Sequence, residues 1–302
     1  MPEIFGLFER LASLPAQAWF SQLLLGLING SFYAVLSLGL AVIFGMLNII
    51  NFAHGAQYMM GAFTAYLLLQ HAGIGYWAAL VIAPIVVGAS GVLVERLFLK
   101  HLRKLDPLYG LLLTFGLAIV IEGLFRNSYG SSGLPYQVPQ SLQGGRNLGF
   151  MFLPNYRAWV IVLSLAVCLA TWFAIERTRL GSYLRAATEN PVLVRAFGIN
   201  VPRMVTLTYG FGVALAAFAG VLAAPINQVR PGMGADIIAV VFAVVVIGGM
   251  GSILGSILTG FVLGVVEGLT KVFYPEASNT VVFVIMAIVL LIRPAGLFGR
   301  AS

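Results

Sequence analysis

The sequence of 302 residues is poor in the residue types that build disulfide frameworks, metal centres and charged surfaces. Its single cysteine, Cys168, excludes a disulfide within the chain and a zinc site built from several cysteines. The three histidines are not grouped as metal ligands. Only 9% of the residues are charged, whereas soluble domains usually carry about 25%. A soluble chain of this kind would expose large apolar patches, so the composition favours a membrane protein.

Sequence motifs for nucleotide binding and nucleophilic catalysis are also absent. No Gly-Lys dipeptide occurs, which excludes the phosphate loop of P-loop ATPases. No G-x-S-x-G nucleophile elbow occurs either. We therefore predict that the chain is not an enzyme and needs no cofactor. If its activity depends on ATP, a separate subunit must hydrolyse the nucleotide.

Apolar residues make up 60% of the chain and are concentrated in nine runs. The runs lie at 19–46, 52–70, 76–99, 107–125, 157–176, 204–225, 237–249, 251–272 and 279–293. A helix needs about 20 apolar residues to cross a membrane, and the 237–249 run is shorter than that. The sequence thus predicts an all-α, polytopic transmembrane helix bundle of eight or nine spans with interrupted Gly-rich helices. We expect residues 1–302 to form a single transmembrane domain, with a short interfacial helix over 4–11.

The distribution of charge predicts the orientation of the chain. Lys and Arg number 17 against 10 Asp and Glu, and 11 of these basic residues lie in the 95–106 and 176–203 connections and the C-terminal tail. The positive-inside rule places those three segments in the cytoplasm. The 126–156 connection is long and polar and reads as an external loop. Because the basic residues form no continuous patch, we expect a lipid environment and no nucleic-acid partner.

Small residues recur at three-to-five-residue spacing in two of the runs. Helices without bulky side chains can approach closely in a membrane, where no hydrophobic effect drives association. We therefore predict helix-packing roles for the glycines at these positions. They are Gly212, Gly220, Gly251, Gly255, Gly260 and Gly264.

Polar side chains interrupt the first two apolar runs. Such groups must find partners or line a wet cavity when they lie in hydrocarbon. They therefore indicate either a translocation pathway for a small solute or hydrogen bonds between helices. The candidates are Asn29, Ser31, Tyr33, Asn48, Asn51, His54 and Gln57.

Two acidic residues, Glu122 and Glu267, lie inside apolar runs. An intramembrane carboxylate is a default candidate for proton coupling. However, Arg126 and Lys271 each follow four residues later, a spacing that allows a helical ion pair. We predict structural pairing, which argues against a proton-driven carrier.

The 178–203 connection has the sequence features of a folded element. We predict a short amphipathic helix, a break at Glu189, Asn190 and Pro191, and a second short helix that ends at Gly198. Proline suits the first turn of a helix, and glycine suits the position just after its end. The segment is either a docking element for a partner protein or a basic loop held at the lipid headgroups.

Four segments of the chain resemble one family of membrane proteins. They are LNIINFAHGAQYMMGAF (47–63), RAATENPVLVRAFGIN (185–200), VIGGMGSILGSILTGFVLGVVE (246–267) and LIRPAGLFG (291–299). Occurring in this order, they are similar to the corresponding segments of LivH-type permeases, the membrane subunits of branched-chain amino-acid ABC importers. The resemblance covers nearly the whole chain.

The resemblance implies a multi-pass permease in the bacterial cytoplasmic (inner) membrane with its C-terminus in the cytoplasm. It implies two ATP-binding subunits, a second permease subunit (LivM-type or a copy of this chain) and an external solute-binding protein. It further implies that the 185–200 segment couples the permease to the ATPase. The matching positions are Arg185, Glu189, Asn190, Pro191, Arg195, Gly198 and Asn200.

The cargo expected from this resemblance is a branched-chain amino acid, or a similar small polar solute such as urea or an amide. An ion-coupled secondary carrier or channel, with Glu122 or Glu267 as its ion site, is the alternative function. Uptake driven by a gradient, without ATP or partner subunits, would distinguish the alternative from an importer subunit.

Overall fold

The computed structural model describes residues 15–47, 50–102 and 105–299, which form a bundle of α-helices with one small β-hairpin. The predicted helix over 4–11 lies outside the described residues, as does Asn48. The helices are α1 (Ala16–Leu47), α2 (Ala53–Ala72), α3 (Tyr76–Val94), α4 (Pro107–Tyr129), α5 (Asn155–Glu176), α6 (Arg179–Glu189), α7 (Pro191–Ala196), α8 (Val201–Asn227), α9 (Met233–Gly248), α10 (Ile253–Phe273) and α11 (Val281–Ile292). The α3 helix continues through a π-helical turn, Glu95–Leu99, into Lys100–Leu102.

Six helices in the described part of the chain are long and apolar enough to cross a membrane. They are α1, α3 with its continuation, α4, α5, α8 and α10. The α9 and α11 helices are apolar but shorter, and α2 carries several polar residues among its apolar ones. The prediction of a multi-span, all-α bundle is confirmed, whereas the count of eight or nine spans is not.

The centre of the bundle is a close antiparallel contact between α1 and α10. A Cβ atom added at Gly264 would lie 2.3 Å from Gly30 Cα, and one added at Gly260 would lie 2.6 Å from Ala34 Cα. These two distances leave no room for side chains, so small residues on both helices allow the backbones to touch. Gly251, in the turn before α10, lies near Gly45 of α1 at an ordinary van der Waals distance.

The α8 helix packs against α1 and α2 in the same manner. A Cβ atom at Gly220 would lie 2.0 Å from the carbonyl oxygen of Tyr58, and one at Gly212 would lie 2.7 Å from that of Gly39. Most side chains of α8 are buried in the bundle. In contrast, α4 buries only Gly110 and Thr114, and its outward residues are large and apolar.

One end of the bundle, the hairpin end, is defined by the connection 130–154. Strands β1 (Gly145–Asn147) and β2 (Phe152–Pro154) pair there as an antiparallel hairpin. The N-terminal part of α1 lies at this end, because Ser21 donates a hydrogen bond to the carbonyl oxygen of Phe150. The turn after α8 lies there as well, because Val229 and Leu134 pair through their backbones.

The opposite end, the helix-pair end, is defined by α6 and α7. The α5 helix joins the two ends with 22 residues, or about 33 Å of helix. The helical conformation is interrupted between α9 and α10 at this end, where Gly249 and Gly251 both have positive φ. The backbone of the C-terminal segment 293–299 fills the break, with Leu297 N donating to Ile247 O at 2.8 Å.

Candidate functional site

A polar cavity of about 500 Å³ lies at the hairpin end of the bundle. Residues from α1, α2, α9 and α11, the last residue of α8, and the turns that follow α8 and α10 form its wall. Its polar lining residues are Tyr33, Tyr58, Asn227, Arg230, Asp236 and Asn279. Ligand sites in proteins typically have volumes of this order.

Among the described residues of this lining, the charged side chains are those of Arg230 and Asp236, and they contact each other. Arg230 Nη2 lies 2.5 Å from Asp236 Oδ2. Gln228, whose φ is +58°, turns the chain out of α8 toward Arg230, and Asp236 occupies the first turn of α9. A carboxylate is stabilised at that position because the helix dipole places partial positive charge there. The pair therefore gives the cavity a fixed dipole without net charge.

Tyr33 connects the cavity to a buried acidic residue. Its hydroxyl donates a 2.6 Å hydrogen bond to Glu267 Oε2, while Lys271 Nζ lies 2.7 Å from Glu267 Oε1. Glu267 is 5% exposed, and each of its two carboxylate oxygens has a partner, the Tyr33 hydroxyl or the Lys271 ammonium. The predicted ion pair with Lys271 is present in the structure.

The second predicted ion pair, between Glu122 and Arg126, is also present, on α4. It is more exposed than the Glu267 pair. Glu122 borders a separate and mostly apolar recess of about 280 Å³ between α2, α4 and α9. Glu122 and Glu267 therefore each have a cationic partner.

The structure separates the polar residues predicted to line a pathway. Of these, Tyr33 lines the cavity. Asn29 is half-buried on α1, and buried Ser31 donates to Leu27 O within the same helix.

The other three described candidates, Asn51, His54 and Gln57, are buried away from that cavity. Asn51 Nδ2 donates to Gln57 Oε1 at 3.1 Å, and Gln57 Nε2 donates to the hydroxyl of Tyr209 on α8. His54 Nε2 lies 3.0 Å from Leu36 O. In this conformation the three side chains hydrogen-bond to groups inside the helix bundle.

Several residues of the cavity were missed by sequence reasoning. Arg230 and Asp236 follow the polar interruption at Asn227, but they contact only because the chain turns at Gln228. One signal was available: Arg230 lies between two apolar runs at a predicted external position, where the positive-inside rule disfavours arginine. Buried Glu95, which accepts a hydrogen bond from Thr206, was also missed.

The 178–203 connection folds at the helix-pair end as two short helices, α6 and α7. Asn190 separates them, and its side chain caps α7 by accepting a hydrogen bond from Leu193 N at 2.9 Å. Gly198 follows α7 with a φ of +82°. Asn200 caps α8 in turn, accepting from Arg203 N at 3.0 Å. Local capping thus produces the predicted helix, break and helix.

An arginine side chain and an apolar cluster attach this helix pair to the bundle. Arg185 Nη1 donates to Ile175 O and lies 3.3 Å from Glu176 Oε2. A small apolar cluster forms beneath the pair from Ala187, Val194, Val201 and Val205. The anchored side therefore combines apolar burial with one arginine.

The opposite side of the helix pair is open. Six of the seven predicted coupling residues are exposed, and Arg185 is the half-buried exception. Large apolar side chains are exposed beside them, among them Val192, Leu193 and Phe197. Exposed apolar residues rimmed by polar ones are typical of a protein interaction site.

No group of three or more His, Cys, Asp or Glu residues that could hold a metal ion occurs in the described ranges.

Comparison with known proteins assigns the family. Residues 22–292 match the family described as the permease component of branched-chain amino acid transport systems. The chain is 32% identical to the high-affinity branched-chain amino acid transport system permease protein BraD of Pseudomonas aeruginosa, over 99% of this chain and 98% of the relative. It is 30% identical to the permease protein LivH of Salmonella typhimurium, over 92% and 95% of the two chains. No solved structure matches at a significant level.

A more distant match extends the comparison to a second type of permease. The chain is 30% identical to the permease protein LivM of Escherichia coli, over 88% of this chain and 67% of the relative. The predicted resemblance to LivH-type permeases is thus confirmed, and so is the prediction of a transport subunit that is not itself an enzyme. The chain belongs to the family of permease components of branched-chain amino acid transport systems.

Proposed function

We propose that this chain forms a membrane pathway in an ATP-driven importer of branched-chain amino acids or similar small polar solutes, such as urea or amides. The observation that carries the proposal is the exposed helix pair α6–α7, at the opposite end of the bundle from the polar cavity. A permease driven by another subunit needs both a solute-accessible cavity and a rigid surface that receives motion. Family membership supports the same function, because the relatives bear the names of branched-chain amino acid permeases.

The proposed assembly contains two ATP-binding subunits, a second permease subunit and an external solute-binding protein. The ATP-binding subunits would contact the helix pair through the exposed residues among Arg185 to Asn200. The second permease would be a LivM-type chain or another copy of this one. Similarity to both LivH and LivM supports a pairing of related permeases. Binding-protein docking outside and ATPase closure inside would then bias the bundle between two states.

The proposed topology has nine membrane segments within one permease domain spanning residues 1–302. They are α1 to α5 and α8 to α11, with α9 and α11 as short segments. Because α1 begins at the hairpin end and nine is an odd number, the N-terminal end of α1 would lie outside and the C-terminus inside. The basic 178–203 segment then lies on the cytoplasmic side of the membrane. The proposed membrane is the inner membrane of a bacterium. The contact of α1 with Phe150 supports this parity.

The alternative of an ion-coupled carrier finds less support. Its proposed ion sites, Glu122 and Glu267, are each paired with a basic residue four positions later. An ion site that cycles between free and bound states requires an accessible carboxylate, and Glu267 is buried with both oxygens held. Uptake into liposomes containing this chain alone, driven by a proton or sodium gradient, would support the carrier and contradict the importer.

The docking role is tested by introducing a charge on the exposed apolar side of the helix pair. Phe197→Asp should abolish co-purification of the ATP-binding subunits, because Phe197 is 77% exposed and an aspartate would have to be desolvated in the interface. Phe152→Asp is the matched control, since Phe152 is 60% exposed but lies in the hairpin at the other end. The control should retain the ATP-binding subunits.

The measurement is the amount of each ATP-binding subunit recovered with the tagged permease from membranes that express the whole assembly. ATPase activity of the purified assembly gives a second readout. Equal recovery with Phe197→Asp, Phe152→Asp and the unaltered chain would contradict docking at the helix pair.

A further inference from the structure

The polar cavity contains one positive and one negative side chain, and both remain accessible. The side chain of Arg230 is 48% exposed and that of Asp236 is 56% exposed. Exposed ion pairs of this kind contribute little to folding stability. Their position on the wall of a cavity therefore calls for a second explanation beyond stability.

A dipolar pair of side chains matches one class of small solute closely. A free α-amino acid carries a carboxylate and an ammonium group on the same carbon atom. The planar guanidinium of arginine binds carboxylates through two parallel hydrogen bonds, and aspartate accepts hydrogen bonds from ammonium. A solute with only one of these charges would leave the other side chain of the pair unmatched.

Apolar side chains stand next to this charged pair. Met233, Ile237, Val240 and Phe283 line the same cavity. Ile237 directly follows Asp236 in α9, and Val240 lies one helical turn after Asp236, on the same face. The cavity thus offers an apolar wall to an aliphatic side chain whose α-carbon lies at the charged pair.

We propose that Arg230 and Asp236 form a site for the zwitterionic head of a free α-amino acid in the cavity. The carboxylate of the solute pairs with Arg230, its ammonium pairs with Asp236, and the direct contact between the two side chains opens to admit it. Ile237, Val240 and Phe283 surround the side chain of the solute. The proposal rests on the proposed import function and assigns the residues of this cavity that recognise the amino-acid solute.

Uptake by the complete assembly tests the proposal first. Arg230→Gln and Asp236→Asn should each lower ATP-driven leucine uptake into proteoliposomes by about 10- to 100-fold, the effect of losing a hydrogen bond to a charged group. ATPase stimulation by the liganded binding protein should persist, because the helix pair is unchanged. Arg126→Gln is the matched control, since it breaks an exposed ion pair on α4 outside the cavity, and it should retain uptake.

Protection of an engineered cysteine tests binding separately from transport. Asn279→Cys places a thiol on the cavity wall, while the native Cys168 is buried. In the assembly without binding protein, millimolar leucine should slow modification of this thiol by a charged methanethiosulfonate reagent. N-acetylleucine and leucinamide, which each lack one of the two charges, should not slow it. Adding Arg230→Gln should abolish protection by leucine.

Two outcomes would overturn the site while leaving the import function standing. One is normal leucine uptake by both Arg230→Gln and Asp236→Asn. The other is equal protection of the thiol by leucine, N-acetylleucine and leucinamide. Failure of the unaltered complete assembly to import any solute with ATP would instead contradict the proposed function itself.

Discussion

Helices α8 and α4 are both apolar and both carry glycines, yet they occupy different environments. Gly220 of α8 lies against the backbone of α2, whereas a Cβ atom at Gly123 of α4 would have no neighbour within 4 Å. The sequences around the two glycines do not reveal this difference, because lipid is as apolar as the interior of the bundle. In a membrane protein, a glycine's neighbours decide whether it is a packing position.

The largest expected effect comes from substituting these two glycines by the same residue. Gly220→Leu would force a bulky side chain into the backbone of Tyr58, and overpacking of this kind costs about 1–3 kcal/mol or more. We expect little folded protein, whereas Gly123→Leu should resemble the unaltered chain. Fluorescence-detected size-exclusion chromatography of detergent extracts measures the folded fraction. Equal monodisperse peaks for the two variants would show that the α2–α8 contact is not close.

A second comparison contrasts two valines on α7 that lie two residues apart. Val194 is 6% exposed in the apolar cluster beneath the helix pair, and Val192 is 75% exposed. Val194→Asp buries an unpaired charge, so it should loosen the helix pair. Val192→Asp should leave the fold intact.

Limited proteolysis of the solubilised chain measures this difference. Trypsin should cleave after Arg195 faster in Val194→Asp than in the unaltered chain or in Val192→Asp. Identical cleavage rates in all three would contradict the burial of Val194.

The smallest expected effect comes from a comparison of the ion pairs formed by Glu267 and Glu122. Tyr33→Phe removes one of the two hydrogen-bond partners of buried Glu267, at an expected cost of about 1–3 kcal/mol in stability. Arg126→Gln removes the partner of Glu122 in a more exposed pair, which should cost about 0–1 kcal/mol. Thermal unfolding in detergent should therefore begin at a lower temperature for Tyr33→Phe. A larger decrease in unfolding temperature for Arg126→Gln would contradict the conclusion that Glu267 is the more buried of the two carboxylates.

Much of the fold follows from the length of the apolar runs. The run at 107–125 corresponds to α4 and the run at 157–176 to α5, with ends that differ by at most four residues. The run at 237–249 corresponds to α9, which begins earlier, at Met233, and ends at Gly248. The helices could be located because hydrocarbon requires every backbone group to be bonded internally.

The helix pair α6–α7 could be predicted from sequence because its signals are local. Asn190, Pro191 and Gly198 each act within a few residues of their own position, as cap, first turn and terminator. The cavity could not be predicted in this way. Arg230 and Asp236 meet across a turn, and Asn279 joins them from a connection more than 40 residues later in the chain. The predicted pathway roles stay predictions for all seven candidates, Asn29, Ser31, Tyr33, Asn48, Asn51, His54 and Gln57.

The C-terminal segment 293–299 is hydrogen-bonded to the end of α9, and this attachment couples the movements of the two. Helices normally end with several carbonyl groups that lack an intrahelical partner, but the carbonyl oxygens of Ile247 and Gly248 at the end of α9 accept hydrogen bonds from Leu297 and Phe298. Gly296 approaches Gly249 closely, because a Cβ atom added at Gly296 would lie 2.6 Å from Gly249 Cα. Any movement of the C-terminal end of α9 would therefore also move the segment 293–299. A spectroscopic label at position 293 would report on a change of angle between α9 and α10.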